Sequence, residues 1–169
     1  MWGRVAAVTA DRRTDFALLL LRFSGVGLAL AHGLGKLVAL GSGSDGFVQG
    51  VARLGFPFPL AFAWAAALVE VVSGLLIAVG LATRIAAVFG AVVVAVAAFL
   101  RHQALAQLGG ALGVASVTPG EVEAWGSPEK ALLYLLVFVA LALLGPGRWS
   151  VGHLVARRRE RRRGRRGYS

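Results

Sequence analysis

Among the ionisable side chains within or at the ends of apolar stretches, seven are candidates for a role: Arg22, His32, Lys36, Glu70, Arg101, His102 and Glu129. A charge at the centre of a bilayer costs at least about 2.5–3.5 kcal/mol, so each such group needs a partner, water or a role. Their types suit proton handling and the holding of a polar headgroup. Glu70 and His32 are the candidate catalytic pair, able to take and give protons. Lys36 and Arg101 could stabilise an oxyanion, and His102 and Glu129 complete the set of candidate cofactor contacts with His32, Lys36 and Glu70. Each also has a plain structural reading. Glu70 could be a buried ion pair that fixes helix register, and His32 a packing histidine. Lys36 is within snorkelling reach of an interface, and Arg101, His102 and Glu129 sit at helix ends.

Other chemistries are excluded or disfavoured. The chain has no cysteine and one methionine. Disulfides, thiol redox chemistry, thiolate zinc sites and cysteine-ligated iron–sulfur clusters are therefore ruled out. His32, Glu70 and His102 lack the spacing of a metal site, so no metal ligands are assigned. A haem with two histidine ligands would need His32 and His102 at one depth, whereas they fall about 12 Å apart along their helices; no haem is expected.

Four apolar segments carry these residues: roughly 15–40, 59–82, 84–101 and 128–144. Each approaches the length of about 20 residues that a bilayer requires. With 57% hydrophobic and 15% charged residues, too little polar sequence remains to clothe four such helices in water. The expected fold is all-α, an integral membrane four-helix bundle with short amphipathic helices in the outer loops. The first segment is too long for a signal-peptide core and carries Arg22, His32 and Lys36, so it is read as retained. Basic residues place both termini in the cytoplasm: Arg4, Arg12 and Arg13 precede the first segment, Arg84 links the second and third, and an arginine-rich run follows the fourth.

Counting about 1.5 Å per residue, His32 lies about 12 Å below the outer surface, Lys36 about 6 Å and Glu70 about 16 Å. Arg22 alone lies deep on the cytoplasmic side. Helical spacing puts His32 and Lys36 on one face with Gly25 and Ala29. A polar cavity open toward the outer leaflet follows, with Glu70 paired to His32 or Lys36. In the loops, Ser44 and Asp45 could cap a short helix whose Phe47, Val48, Val51 and Leu54 share a face. Thr118-Pro-Gly-Glu121 fits a capping box, and Ser127-Pro128 starts the fourth helix.

Three blocks together resemble the DoxX-like family of small four-helix membrane proteins. The first, LLLLRFSGVGLALAHGLGKL, holds the leading Arg22 and the AHGxxKL pattern. The second, LGFPFPLAFAWAAALVEVVSGLLIAVGLATRIAA, holds Glu70 and the GLxTR corner at Gly80 to Arg84. The third is SPEKALLYLLVFVALALLGPGRWS. One departure is visible: Gly152 stands where the pattern leads to an aspartate shortly after GPGRWS. The resemblance defines residues 15–152 as a DoxX-like transmembrane domain between a cytoplasmic segment, 1–14, and a basic tail, 153–169. It implies a multi-pass protein of a bacterial or archaeal plasma (inner) membrane. The family takes its name from a subunit associated with quinone-linked thiosulfate oxidation, and other members look like partners in oxidative-stress and thiol-redox assemblies.

The expected function is that of a redox subunit. It would bind a quinone or similar lipid-soluble redox molecule in the outer polar cavity and work with a partner oxidoreductase, rather than act alone as an enzyme. The alternatives are a non-catalytic adaptor anchoring soluble partners and, less well supported, a small transporter or lipid-handling protein. The basic tail should grip anionic lipid at about 1 kcal/mol per residue near the surface. Without interleaved aromatics it gives no sign of nucleic-acid binding. A homo-oligomer is compatible with the sequence.

Overall fold

In the computed structural model the described residues are 12–166, with side chains described for 12–159. Residues 1–11, which contain Arg4 and most of the expected N-terminal segment, lie outside them, as do 167–169 and the side chains of the distal arginines. Among the described residues the chain is all-α. Eight helices follow in order: α1 (Arg12–Gly41), α2 (Gly46–Arg53), α3 (Pro59–Val79), α4 (Thr83–Arg101), α5 (Ala104–Ala111), α6 (Pro119–Trp125), α7 (Glu129–Leu144) and α8 (Val151–Arg166). Three of them, α1, α3 and α4, are long and apolar enough to cross a membrane. α7 makes a fourth if it is taken as one span with α6, from which it is bent by 52°.

The helix boundaries follow local chemistry. The Gly/Ser break after Gly41 ends α1, and Pro59 occupies the first turn of α3, where its missing N–H costs nothing. Gly80, with φ +75°, terminates α3 in a left-handed cap. Thr118 caps α6 in a complete capping box with Glu121. The expected amphipathic helix is present as α2, but neither Ser44 nor Asp45 caps it through a side chain. Ser127 Oγ accepts the N–H of Glu129 at the start of α7. Three non-glycine residues that precede helices, Phe58, Ala82 and Gln103, hold left-handed conformations.

α1 packs on α3, α3 on α4, α4 on α7, and α7 returns to α1, so the four longest apolar helices close a ring. The core of that ring holds Leu28, Ile77, Ala87, Val94, Phe138 and Leu141. Its exterior is apolar too: Phe23, Leu30, Val38, Val72, Val92 and Leu136 are all exposed. Meanwhile Asp15, Arg22, Glu70, Ser73, Thr83 and Ser150 are buried. An apolar exterior around buried charges suits lipid as the solvent, because lipid accepts apolar surface and rejects charge.

Two π-helical stretches interrupt the regular geometry near the polar residues, one in α1 and one at the end of α4, Ala97–Arg101. Residues Gly27–Leu34, the middle of α1, form a π-helical stretch. Wider i→i+5 turns insert about one extra residue and shift the phase of everything beyond. The α-helical wheel predicts His32 and Lys36 on one face; their side chains reach different neighbours, Tyr134 on α7 and Glu70 on α3.

Candidate functional site

The predicted polar residues resolve into three places instead of one cavity. The first is the seam between α1 and α3. Lys36 Nζ donates to Glu70 Oε1 at 2.5 Å and lies 4.9 Å from the centre of the Phe47 ring. Of the two partners expected for Glu70, the structure selects Lys36. The Glu70 side chain is 4% exposed and that of Lys36 28% exposed, so the cation keeps a path to solvent while the anion does not. Oε2 of Glu70 is buried without a hydrogen bond. Below the pair the seam is built from small residues. A Cβ on Gly25 would meet the carbonyl oxygen of Gly74 at 2.4 Å, and one on Gly74 would meet that of Gly25 at 2.5 Å. A Cβ on Gly33 would meet Val71 at 2.7 Å and the Cβ of Glu70 at 3.0 Å. Such stripes let helix backbones approach closely in lipid.

The second place is a cleft on the side of α1 that faces α7. His32 stands edge-on to Tyr134, ring centres 5.7 Å apart. The cleft has a volume of about 450 Å³ and is lined by Ser24, His32, Lys130, Leu133, Tyr134 and Val137. Gly27 makes room for it, since a Cβ there would lie 2.4 Å from the Tyr134 hydroxyl. The Ser24 hydroxyl donates to Leu21 O. Neither the His32 ring nitrogens nor the Tyr134 hydroxyl forms a hydrogen bond with the described residues. Two adjacent polar groups thus remain available to a ligand.

The third place is the knot joining α4 to the loop before α7. His102 Nδ1 lies 2.6 Å from Trp125 O, and Arg101 donates to the carbonyls of Ala124 and Trp125. Gln107 Nε2 donates to the carbonyls of His102 and Gly126. Arg101 and His102 therefore satisfy loop carbonyls. Glu129 is exposed in the first turn of α7. Nearby, the Thr118 hydrogen bonds hold the Glu121 carboxyl below its ordinary pKa. Among the described residues no group of three or more His, Asp or Glu side chains could hold a metal.

The DoxX family model matches residues 17–103, just over half of the chain. The chain belongs to the DoxX family. The match covers α1, α3 and α4 and therefore both halves of the Lys36–Glu70 pair, whereas α7 lies beyond it. A relative in Mycobacterium tuberculosis strain H37Rv, the uncharacterized membrane protein Rv3486, is 36% identical over 109 residues; these make up 63% of each chain. This DoxX-family chain thus spans under two thirds of that relative's length. No solved structure matches it. This is a membrane protein, on its family and on its several apolar helices.

Ser24, Lys130 and Tyr134 were not singled out from the sequence. A signal existed: Lys130, Tyr134 and Val137 fall at i, i+4 and i+7 on one face of the fourth apolar segment. Gly152, at the position where the family pattern leads to an aspartate, donates its N–H to Gly80 O. It offers no side chain there.

Proposed function

We propose that this DoxX-family protein is the membrane subunit of a redox system and that it holds a quinone headgroup in the cleft between α1 and α7. The observation that supports this reading is the pairing, at the α1–α7 edge of an apolar helix ring, of two unpartnered polar groups, His32 and the Tyr134 hydroxyl, in a cleft of about 450 Å³. That volume lies within the usual range for small-molecule sites. The donor set fits a quinone, whose carbonyl oxygens accept hydrogen bonds. The Tyr134 hydroxyl donates one, and His32 donates or accepts according to its tautomer. Leu133 and Val137 provide an apolar wall beside the polar groups.

A bound quinone supplies two-electron, two-proton redox chemistry. The protein's own part is to hold and move protons. His32 is the proton-exchanging group beside the cleft, and Lys130 at its edge adds positive charge that favours a developing oxyanion. The Lys36–Glu70 pair acts as a positioning element. It ties α1 to α3 and so sets the rotation that turns His32 toward α7. Electrons would come from a partner protein or a substrate. The basic helix α8 is the docking element proposed for such a partner. All four long helices are taken to span the plasma membrane of a bacterium or archaeon, both termini cytoplasmic, as the distribution of Lys and Arg supports.

The test is mass spectrometry of the protein purified in mild detergent from its native membrane. A stoichiometric quinone that is lost in both Tyr134→Phe and His32→Ala, with melting unchanged, supports the cleft. Retention of the quinone in both variants refutes it.

A further inference from the structure

At the end of the ring where α1 begins and α8 leaves, a second and larger cavity of about 740 Å³ is present. Its charge is one-sided. Arg12, Arg22, Arg148 and Arg157 line it against a single carboxylate, Asp15. That carboxylate is already engaged: buried Asp15 accepts the backbone N–H of Arg148 at 2.8 Å. Arg22 is 3% exposed. One of its terminal nitrogens donates to Pro146 O at 3.0 Å, and its Nε is buried with no partner. A guanidinium in that state lacks both a counter-charge and a full set of acceptors, which makes its burial costly.

The position is built around that arginine. A Cβ on Gly80 would meet an Arg22 nitrogen at 2.3 Å and the Ser150 side chain at 2.5 Å. Gly152 donates to Gly80 O and fastens the start of α8 over the same corner. The rest of the lining is apolar, from Ala78 and Val79 on α3 and Val151 and Leu154 on α8. Trp149, packed edge-on against Phe16, stands at the rim. An anion placed among the arginines would therefore lie next to an apolar wall.

We propose that this cavity is a specific binding site for the phosphate headgroup of an acidic phospholipid. Phosphate supplies the acceptors that Arg22 lacks and the charge that four arginines require. The adjoining apolar wall receives the glycerol and the first methylenes of the chains, which a free inorganic anion would leave uncovered. The site is separate from the α1–α7 cleft and from the diffuse attraction of the distal arginines.

The full-length protein in mild detergent is titrated with phosphatidylglycerol, phosphatidylcholine and inorganic phosphate, and bound species are counted by native mass spectrometry. One phosphatidylglycerol per chain is expected, held about tenfold or more tightly than phosphatidylcholine. Arg22→Lys keeps the charge but removes Nε, and should weaken it several-fold. The double variant Arg148→Gln/Arg157→Gln changes exposed residues only, so its melting is preserved, and it should weaken binding about tenfold. Deleting residues 160–169 should leave most of the binding intact. Three results would each overturn the proposal: equal retention of phosphatidylcholine, displacement of the lipid by equimolar inorganic phosphate, or loss of binding on tail deletion but not in the double variant. Quinone retention, read in the same spectra, reports on the α1–α7 cleft independently.

Discussion

The two sides of α1 solve opposite problems. Toward α3 the helix presents Gly25, Ala29 and Gly33, the facing backbones nearly touch, and the one polar contact is a paired Lys36–Glu70. Toward α7 it presents Ser24, Gly27 and His32 against Tyr134, and space remains. Glycine occurs on both sides with different results. Across from Gly25 stands another glycine, so the gap closes. Across from Gly27 stands a tyrosine hydroxyl, so the missing side chain becomes room for a polar group. What the partner helix offers, rather than the glycine itself, decides between a sealed seam and a cleft.

The contrast can be broken most severely at the sealed side. Gly74→Leu would force a branched side chain into the Gly25 carbonyl and Ala29, at contacts already below 3 Å for a Cβ alone. The expected loss exceeds about 3 kcal/mol, at the top of ordinary overpacking penalties, and would be seen as a collapse of the thermal transition in detergent. The corresponding Gly27→Ala on the open side should cost far less, because a hydroxyl at the end of a side chain can move where a backbone cannot. Similar melting losses in the two variants would remove the distinction.

Next in size is an asymmetry within the ion pair. Lys36→Ala strands a carboxylate that is 4% exposed, whereas Glu70→Ala strands an ammonium that is 28% exposed and able to snorkel. The first should cost about 3 kcal/mol and the second about 1 kcal/mol, compared by denaturation of both variants in one detergent. Equal costs would remove the asymmetry. Smaller still is the effect of Tyr134→Phe, which should leave melting within about 0.5 kcal/mol while ligand retention falls. If stability falls instead, the hydroxyl is part of the packing.

The smallest effect lies outside both seams. Hydrogen bonds from Thr118 lower the pKa of Glu121. A depressed carboxyl pKa stabilises the folded cap at a pH above the unfolded value, and the benefit is lost as pH falls through the lowered, folded value. Amide exchange over 118–125 should therefore speed up on acidification, and Thr118→Ala should flatten that dependence.

Much of this architecture was legible in the sequence because its determinants are local. Apolar run length marked α1, α3, α4 and α7. The Thr118–Glu121 box and Ser127-Pro128 marked helix starts through capping chemistry that involves only neighbouring residues. The Lys36–Glu70 contact was one of two pairings that depth alone allowed. The cleft was not legible, for a physical reason. Ser24 and His32 lie about 100 residues from Lys130 and Tyr134, and which faces of the two segments meet is settled by packing rather than by local spacing. The Asp15–Arg22 corner escaped notice because it forms only when Pro146 to Ser150, more than 120 residues away, folds back onto α1.

The wide turn in α1 also predicts an unusual response to deletion. Removing one residue between Gly27 and Leu34 would cost the backbone little, since each carbonyl could find the next amide down the chain and the helix would become more regular. Yet the two ends would then be out of step by about 100°, the rotation that one residue carries. Either Arg22 would swing out of its corner or Lys36 would leave Glu70. A shortened chain with ideal helical geometry would thus have lost one of its two anchors, a defect of torsion rather than of hydrogen bonding.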